Sequence, residues 1–327
     1  MKALILAGGL GTRLRPLTYT RPKHILPIAN RPHIEHVFDL LKRHDVAEVV
    51  LLTSYLPDAF GTTLERAEQR GIGVEVALEP EPLGTAGALK NAEGSIGDGT
   101  FLAFNGDVLT DVDLGQVVEF HRARGAVATI VLTPVDDPSA YGVVPTAADG
   151  RVLGFIEKPA REDAPTNLIN AGVYVFEPAV LDHIPVGRVS SAERELFPAL
   201  VADGAPVYAL GTDAYWMDIG TPQKYLQANL DALAGRFVTD AVGTLGGNRI
   251  VVGEDAEIAS DARVFSACVG AGARIEAGCE VAESVLLPMA TVGAGAVVRA
   301  SILGEGARVG PGVHVLDDTI ADGGSAE

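Results

Sequence analysis

The last quarter of the chain repeats with a constant period of 17, and this repeat constrains the fold more than any other feature. Steps of six, six and five positions separate the apolar residues within each repeat. The aligned columns are Val252, Val269, Leu286, Leu303; Ile258, Ile275, Val292, Val309; Val264, Val281, Val298, Val315; and Ala256, Ala273, Ala290, Ala307. Stacked coils bury a continuous core that a single repeat could not bury alone. Residues 250–316 are therefore predicted to form a parallel β-helix of four such coils, left-handed as in most hexapeptide solenoids.

Residues 1–235 show the alternation of strands and helices that is typical of an α/β domain. Apolar runs predict buried strands, and segments with helical spacing lie between them; examples are the strands Glu48–Thr53, Val74–Leu78 and Phe101–Phe104 and the helix Ile34–Arg43. This alternation predicts a Rossmann-like, mostly parallel sheet, in which ligands bind at the carboxyl ends of the strands. Residues 236–249 are predicted to be a linker. The acidic tail, 317–327, is predicted to be disordered.

The stretch from Met1 to Pro32 places positive charge beside a glycine turn. A short apolar strand leads into Gly8-Gly9-Leu10-Gly11-Thr12, where the lack of side chains lets backbone N–H groups approach a phosphate. Residues 1–34 contain no Asp or Glu, although the whole chain has a formal net charge of −18. Their six basic residues are Lys2, Arg13, Arg15, Arg21, Lys23 and Arg31. The pattern favours a polyanionic small molecule over a turn with solvated arginines.

The composition of the chain argues against several classes of function. A net charge of −18 disfavours nucleic acid and anionic membranes as partners. No apolar run approaches the roughly 18 residues of a membrane-spanning helix, and the N-terminus lacks the layout of a signal peptide. Cys268 and Cys279 have neither metal-binding nor redox spacing, so we expect free thiols in a reducing cytoplasm.

Three carboxylates stand where a bound nucleotide could meet them. Glu79 follows a predicted strand, and its acceptors match the two adjacent donors of guanine, whereas thymine or uracil would suit an amide better. An exposed loop carboxylate is the other interpretation of Glu79. Asp107 also follows a strand, and Asp218 precedes a glycine turn. A pair of carboxylates is what Mg²⁺ chemistry on phosphates requires.

Several motifs occur in the order that is typical of one enzyme family. LAGGLGTRLRPLT and RPKHILPIANRPHIEH are followed by EPLGTAGAL, NGDVL, GFIEKP, NAGVYVF and WMDIGTP. Over essentially the whole chain, these motifs resemble those of the nucleoside-diphosphate-sugar pyrophosphorylases, also called sugar-1-phosphate nucleotidylyltransferases. Longer members of that family commonly carry a C-terminal hexapeptide β-helix. Within the family, EPLGTAG and the NAGVYVF…WMDIGTP spacing look most like those of mannose-1-phosphate guanylyltransferases.

The resemblance implies a reaction and a role for each matched residue. A sugar 1-phosphate attacks the α-phosphate of a nucleoside triphosphate, with Mg²⁺ as cofactor, and pyrophosphate leaves. The implied catalytic residues are Arg13 for the leaving pyrophosphate, Lys23 for the α-phosphate, and the metal ligands Asp107 and Asp218. The nucleotide-binding set is Leu6, Ala7, Gly8, Gly9, Gly11, Thr12, Arg13, Lys23, Glu79, Gly84, Thr85 and Asp107. The sugar-phosphate set is Gly142, Glu157, Lys158, Asn170 and Gly172, with Lys158 on the phosphate.

GTP and mannose 1-phosphate are the favoured substrates, and two alternatives remain open. One is a thymidylyltransferase or uridylyltransferase acting on glucose 1-phosphate. The other, from a different class, is a catalytically inactive regulatory subunit that senses nucleotide sugars. Acyl transfer within the β-helix is disfavoured, because the coils are few and contain a single histidine, His314. The exposed face of the β-helix is expected to support a homo-oligomer.

Overall fold

The computed structural model describes all 327 residues, and these divide into two compact units. The first unit comprises residues 1–9 and 37–216. The second comprises residues 10–36 and 217–327. The segment 10–36 therefore groups with the C-terminal region, although it precedes most of the first unit in the sequence.

A nine-stranded sheet forms the first unit. Its strands are Lys2–Leu6, Glu48–Thr53, Gly73–Leu78, Phe101–Asn105, Ala128–Pro134, Gly142–Val143, Ile156–Glu157, Leu168–Phe176 and Val207–Gly211. Lys2–Leu6 lies parallel to both Glu48–Thr53 and Phe101–Asn105, and Glu48–Thr53 lies parallel to Gly73–Leu78. The central strands of this group are almost wholly apolar and buried, as expected for a parallel sheet covered on both faces. The predicted Rossmann-like arrangement is confirmed in this half.

The other half of the sheet is mixed, because Leu168–Phe176 runs antiparallel to Phe101–Asn105 and to Ala128–Pro134. The register of the second pairing shifts between Asn170 and Tyr174, which marks a bulge. Gly172 lies in this bulge with a φ of 71°, a backbone conformation that favours glycine. The sheet is thus less uniformly parallel than the alternation of elements predicted.

Seven α-helices accompany the strands: His33–Arg43, Gly61–Gln69, Gly84–Asn91, Glu93–Ile96, Leu114–Arg124, Phe197–Ala202 and Pro222–Leu233. The last of these begins after Thr221, whose hydroxyl accepts a hydrogen bond from the Lys224 N–H, with Pro222 at the first helical position. None of the helices combines the length and the hydropathy needed to cross a bilayer.

Parallel strands of two or three residues build the C-terminal part of the second unit in three sheets. Each strand pairs with the strand one period further on, for example Val281 with Val298 and Val298 with Val315. The aligned aliphatic residues from Val264 to Val315 are buried, as the repeat predicted. Val252, in the first coil, is 44% exposed, because that coil stacks on a neighbour on one side only. The arrangement is consistent with the predicted left-handed β-helix.

Left-handed backbone recurs at two corners of the coils, and also at a third corner through Gly278, Gly295 and Gly312. Positive φ occurs at Arg249, Ser266, Glu283, Ala300 and Asp317, and again at Asp255, Gly272, Met289, Gly306 and Gly323, each set recurring with the period of the coils. At the first of these corners, the buried Ser284 hydroxyl accepts the Ser301 N–H, and the Ser301 hydroxyl accepts the Asp318 N–H. These hydroxyls satisfy backbone donors where the strands end.

The tail differs from the sequence prediction of disorder. Thr319–Ile320 pairs with Ile302–Leu303, and Ser325–Ala326 pairs with Arg308–Val309. Ile320 and Ala326 lie one period after Leu303 and Val309, so they continue two of the apolar columns. The composition of the tail suggested disorder. The preceding coil, however, exposes unpaired backbone N–H and C=O groups, and these residues form hydrogen bonds with them. We call residues 319–326 the terminal coil.

His36 is buried in the second unit and is held in one neutral tautomer. Its Nε2 lies 3.1 Å from the Ile28 carbonyl, which can only accept, so Nε2 carries the proton. Its Nδ1 therefore accepts from the Thr239 hydroxyl at 3.0 Å, while that hydroxyl accepts the Ala241 N–H. Burial lowers the pKa of His36 to about 4.

This pKa predicts acid destabilisation over a defined pH window. Between about pH 6.5 and 4 the unfolded chain binds the His36 proton and the folded chain does not, so stability falls as pH falls. We expect the free energy of unfolding to decrease by up to about 3 kcal/mol across this window. His36→Gln keeps a donor for Ile28 without titrating, so denaturant unfolding of this variant should show a flatter pH profile. An equally steep profile in the variant would contradict the assignment.

Candidate functional site

The carboxyl ends of three adjacent parallel strands bring Gly8, Ser54 and Glu79 together in the first unit. The Ser54 hydroxyl donates to the Gly8 carbonyl at 3.1 Å. A Cβ on Gly8 would lie 3.0 Å from both Glu79 Oε1 and Ser54 Oγ, so a larger residue would displace one of them. Absence of a side chain at Gly8 thus keeps its backbone beside a carboxylate, at the sheet edge where ligands bind in this class of fold.

Glu79 is 8% exposed, and it shapes the loop that follows it. Its Oε2 accepts the Leu83 N–H at 2.9 Å, which closes the turn through Pro80 and Pro82. Burial raises the pKa of the Glu79 carboxyl, and the Leu83 N–H partly offsets this shift. The structure therefore excludes the exposed loop carboxylate considered as an alternative, because one oxygen supports the loop and the other faces Gly8.

The small residues after Glu79 serve packing within the protein. A Cβ on Gly84, where φ is 74°, would lie 2.6 Å from the Ser190 carbonyl oxygen. That carbonyl accepts the N–H groups of Ala86 and Gly87. The Thr85 hydroxyl donates to Glu193 at 2.8 Å and accepts the Ala192 N–H. Thr85, predicted to bind nucleotide, therefore commits its hydroxyl to the protein, and only its backbone is open to that role.

Leu6 and Ala7 also have sheet partners. The Leu6 carbonyl accepts the Gly106 N–H at 2.9 Å, and the Ala7 N–H donates to the Leu52 carbonyl at 2.7 Å. Asp107 follows Gly106 at the end of the neighbouring strand. The strand order therefore places Asp107 beside the Lys2–Leu6 strand at the carboxyl edge, as the sequence predicted.

The bulge in Leu168–Phe176 organises the predicted sugar-binding residues. The Asn170 amide donates to the Tyr174 hydroxyl at 2.7 Å, and its Oδ1 accepts the Gly172 N–H at 3.0 Å. A Cβ on Gly172 would lie 2.7 Å from the Asn105 amide nitrogen, so this glycine is required for close packing. The buried Oδ1 of Asn105 has no hydrogen-bond partner within the protein and can accept one from a ligand.

Gly142, Glu157 and Lys158 lie on or beside the adjoining short strands. A Cβ on Gly142 would lie 2.5 Å from the Phe155 ring and 3.1 Å from Glu157 Oε2, so glycine makes room for both. Lys158 has a φ of 51°, and its Nζ lies 3.4 Å from Glu157 Oε1. The Lys158 side chain is 57% exposed. An ion pair this open contributes little to stability, which leaves the ammonium accessible to an anion.

In the second unit, the glycine turn continues into an irregular segment around Gly11. Its φ of 62° favours glycine, and a Cβ there would lie 3.4 Å from Lys23 Cβ. The Thr18 hydroxyl donates to the Gly11 carbonyl at 2.8 Å. Thr12–Leu14 and Lys23–Ile25 are single turns of 3₁₀-helix. Gly11 and Lys23 are therefore neighbours in space.

Arg13 and Asp218 meet at Gly220, although the two side chains are far apart in sequence. A Cβ on Gly220 would lie 2.8 Å from Arg13 Nη2 and 3.1 Å from Asp218 Oδ2. The Lys224 ammonium pairs with the other Asp218 oxygen, Oδ1. Asp218 is thus flanked by two cations on the two sides of its carboxylate.

At least four of the six cations in residues 1–34 have partners within their own unit. They are Lys2 with Glu48, Arg15 over the Tyr19 ring, Arg21 with Glu305 and Asp322, and Arg31 with Glu35. The cluster is therefore not a uniform phosphate patch, and Arg21 in particular is committed to carboxylates. Arg13 keeps its guanidinium beside Asp218.

Comparison with known families matches nearly the whole chain. The family described as nucleotidyl transferase matches residues 2–235, and the GMPPB C-terminal domain matches residues 247–324. The chain belongs to the nucleotidyl transferase family. A mannose-1-phosphate guanylyltransferase of Mycobacterium tuberculosis is 40% identical over 297 residues, 85% of this chain and 82% of the relative. A mannose-1-phosphate guanyltransferase of Aspergillus oryzae is 43% identical over 244 residues, 72% of this chain and 66% of that protein.

A solved structure is also similar to this chain. HddC from Yersinia pseudotuberculosis, in a complex with GMP-PN, has a TM-score of 0.61 and 30% sequence identity. The match covers 70% of this chain and 97% of HddC. The resemblance to sugar-1-phosphate nucleotidylyltransferases in the sequence is therefore confirmed at the level of family and fold.

The carboxylates of this nucleotidyl transferase fit a magnesium site that is completed by substrate phosphates and water. No cluster of three or more His, Cys, Asp or Glu side chains in the chain could hold a metal ion by itself. Magnesium in phosphoryl-group enzymes is commonly bound by one or two carboxylates, with substrate phosphates and waters as the other ligands. Single carboxylates such as Asp107 and Asp218 fit that mode.

Four residues with close contacts to the predicted set were missed. Ser54 directly follows a predicted strand. Because ligands bind at the carboxyl ends of parallel strands, its position could have been recognised from the sequence. Asn105, Trp216 and Gly220 stand inside the motifs NGDVL and WMDIGTP. The Trp216 indole N–H donates to the Ala171 carbonyl at 2.8 Å, so this ring braces the bulge. Only spatial contacts reveal that role.

Gly220→Ala tests whether the Arg13 position matters. The new Cβ would meet the Arg13 guanidinium, a flexible group that can move away without unfolding the chain. We expect turnover to fall by about 10- to 100-fold, because a displacement of about 1 Å can cost this much. Gly154→Ala is the control, since its Cβ would meet nothing within 4 Å. Equal turnover in both variants, with unchanged melting temperatures, would show that the Arg13 position does not matter.

Proposed function

We propose that this protein transfers a guanylyl group from GTP to mannose 1-phosphate, giving GDP-mannose and pyrophosphate. The observation that carries the choice of base is the Glu79 carboxylate, which lies against the Gly8 backbone at the carboxyl edge of the sheet. One of its oxygens is fixed by Leu83, so the other presents an acceptor of defined orientation. Guanine offers adjacent N–H donors for such an acceptor.

Known relatives support the same substrates. The relatives from Mycobacterium tuberculosis and Aspergillus oryzae are named for mannose 1-phosphate and for guanylyl transfer. HddC, which shares the fold, was solved with GMP-PN. We carry these names over to the present chain as part of the proposal, because its Gly8 backbone and Glu79 carboxylate lie together at the strand ends where a nucleotide would bind.

In the proposed mechanism, the protein positions two anions that repel each other and neutralises charge that develops at the α-phosphate. A phosphate oxygen of mannose 1-phosphate is the nucleophile, so no covalent enzyme intermediate is required. The N–H groups of Gly8, Gly9, Gly11 and Thr12 cradle the triphosphate. Arg13 holds the pyrophosphate as it leaves, and Lys23 stabilises the α-phosphate in the transition state.

The remaining roles concern the metal and the sugar. Asp107 and Asp218 would hold Mg²⁺, which neutralises phosphate charge when it is bound. Lys224, which pairs with Asp218, stands where it would contact a substrate phosphate if Asp218 held the metal. Lys158 binds the phosphate of mannose 1-phosphate, and Glu157, Asn170 and the backbone at Gly142 and Gly172 contact the sugar hydroxyls.

The proposal also covers the oligomeric state of the protein and its cellular compartment. Phe265 and Leu316, which are 40% and 53% exposed, lie in one strand column of the β-helix, and we propose that this side supports a homo-oligomer. Both cysteines are free thiols, as expected in a reducing cytoplasm.

A substrate panel tests the proposal. The purified chain is given each of GTP, ATP, UTP and dTTP with mannose 1-phosphate or glucose 1-phosphate, and pyrophosphate release is measured. We expect the largest kcat/KM for GTP with mannose 1-phosphate. A preference for dTTP or UTP with glucose 1-phosphate would favour the thymidylyl or uridylyl alternative. Nucleotide binding without pyrophosphate release in any pair would favour the inactive sensor.

Glu79→Gln tests base recognition. The Gln carbonyl can still accept the Leu83 N–H, so the loop keeps its geometry while an amide donor replaces the second acceptor. We expect kcat/KM for GTP to fall by about 10-fold or more, with UTP or dTTP rising relative to it, because one hydrogen bond to a charged group is worth about 1.5–3 kcal/mol. Competition between the nucleotides measures the ratio. An unchanged ratio would exclude Glu79 from base recognition.

Asp107→Asn and Asp218→Asn test the metal ligands. Both changes keep side-chain size and remove the charge, so we expect turnover to fall by about 100-fold or more in each. Titration calorimetry with Mg²⁺ and GTP should also show weaker metal binding, which is a readout independent of turnover. Asp98→Asn, at an exposed turn, is the matched control. Metal binding at control levels in both variants would defeat the assignment.

A further inference from the structure

An ionic contact joins the irregular segment of residues 10–36 to the end of the β-helix, within the second unit. Arg21 Nη2 donates to Glu305 Oε2 at 2.6 Å and to Asp322 Oδ2 at 2.9 Å. The Thr20 hydroxyl donates to the same Asp322 oxygen at 2.6 Å. We call Arg21, Glu305 and Asp322 the Arg21 clasp. Asp322 belongs to the terminal coil.

The clasp is more rigid than an ordinary surface ion pair. The side chains of Arg21 and Asp322 are only 16% and 15% exposed, and that of Glu305 is 47% exposed. The other oxygen of Asp322, Oδ1, accepts the Glu305 N–H at 2.8 Å, so the coil itself fixes the Asp322 carboxylate. Two charge-assisted hydrogen bonds donated by the Arg21 Nη2 group, in a partly desolvated setting, hold the partners in place.

The acidic pair is confined to the last two coils. Position 322 lies one period after position 305, so the two carboxylates stack at the same corner of successive coils. The earlier members of this column are Glu254, Ala271 and Pro288, so two uncharged residues separate Glu254 from Glu305. Two carboxylates in successive coils therefore occur in this column only at the C-terminal end of the β-helix, and Arg21 pairs with both.

A second anchor follows Arg21 in the chain. Ala29 and Asn30 form the two-residue turn of a hairpin, with φ of 49° and 61°. The Asn30 amide donates to the Val269 carbonyl at 2.7 Å, and the Ala29 N–H donates to Asn229 at 2.9 Å. The chain between Arg21 and Asn30 is therefore tied to the second unit at both ends.

Lys23 lies between these anchors. The only regular structure around it is one 3₁₀ turn, held by hydrogen bonds of 3.2 Å from the Ile25 N–H to Pro22 and from the Leu26 N–H to Lys23. A single turn is too short to fix its own position. The contacts on either side constrain its place together with the buried His24 and Leu26, and Arg21 stands shortly before Lys23 in the chain.

We propose that Arg21 is a positioning residue through which the terminal coil of the β-helix fixes Lys23 for catalysis. This inference rests on the proposed function, because Lys23 is there assigned to the α-phosphate. The terminal coil is then part of the catalytic apparatus rather than an end cap. Loss of the Glu305 and Asp322 charges should leave the coils folded and allow Lys23 to move.

The test compares Glu305→Gln/Asp322→Asn with Asp317→Asn. The control removes a carboxylate from an exposed corner near the same end of the β-helix, outside the clasp. We expect kcat of the double variant to fall by about 10- to 100-fold, with KM for GTP changed much less, since the lost contact acts in the transition state. Arg21→Lys keeps one charge in the clasp and should retain more kcat than Arg21→Met.

Hydrogen exchange gives a readout that does not require turnover. In the double variant, the amides of Ile25 and Leu26 should exchange at least tenfold faster, while those of Val281 and Val298 in the coils keep their protection. Unchanged exchange at Ile25 and Leu26 would overturn the inference, even if the protein makes GDP-mannose. Equal kcat in the double variant and the control would overturn it as well.

Failure of the proposed function would look different. Wild-type protein would then release no pyrophosphate from GTP and mannose 1-phosphate, while the exchange comparison still reports on the clasp. If the double variant lost protection throughout the coils, Arg21→Lys and Arg21→Met decide the matter, because they leave the β-helix carboxylates intact. Equal kcat and equal Ile25 exchange in those two variants would contradict positioning by the clasp.

Discussion

The segment that we propose binds phosphate has almost no regular structure of its own, and other parts of the chain must hold it in place. Between residues 10 and 32 it contains two single 3₁₀ turns and a hairpin of two-residue strands. Glycine at 8, 9 and 11 exposes backbone donors but also increases the entropy lost on ordering. Thr18, Arg21 and Asn30 supply the contacts that fix the rest. A repeat that is rigid because each coil pairs with the next is a suitable anchor for such a segment.

The charge distribution of the same segment suits its proposed function. A chain with a net charge of −18 repels phosphorylated substrates over most of its surface. The absence of carboxylates in residues 1–34 removes that repulsion locally, and the partners of the six cations divide their roles. Arg21 and Arg31 are held by carboxylates and act structurally, whereas Arg13 stands beside Asp218. A count of basic residues could not make this distinction, since it depends on which carboxylates lie nearby in space.

Sequence patterns predicted the periodic parts of the fold and missed contacts between distant segments. The strand Glu48–Thr53 and the repeating coils follow from side-chain period, which is local information. The terminal coil departs from the prediction of disorder. Ile320 and Ala326 continue the 17-residue period, and their pairing with the preceding coil outweighs the acidic, Gly/Ser-rich composition of the tail. In the candidate site, Gly8 and Asp107 were placed at strand ends by a topological rule. The packing of Gly84 on Ser190 and the engagement of the Thr85 hydroxyl depend on a segment far away in the sequence, which no local pattern contains.

The central claim is that the protein contributes position and charge alone, so that one substrate phosphate attacks the other directly. Exchange of radiolabelled pyrophosphate into GTP tests this claim most directly, because exchange requires reversible cleavage of the α–β bond. The account predicts exchange with mannose 1-phosphate present and none without it. Exchange at a comparable rate without any sugar phosphate would reveal a guanylylated enzyme and contradict direct transfer.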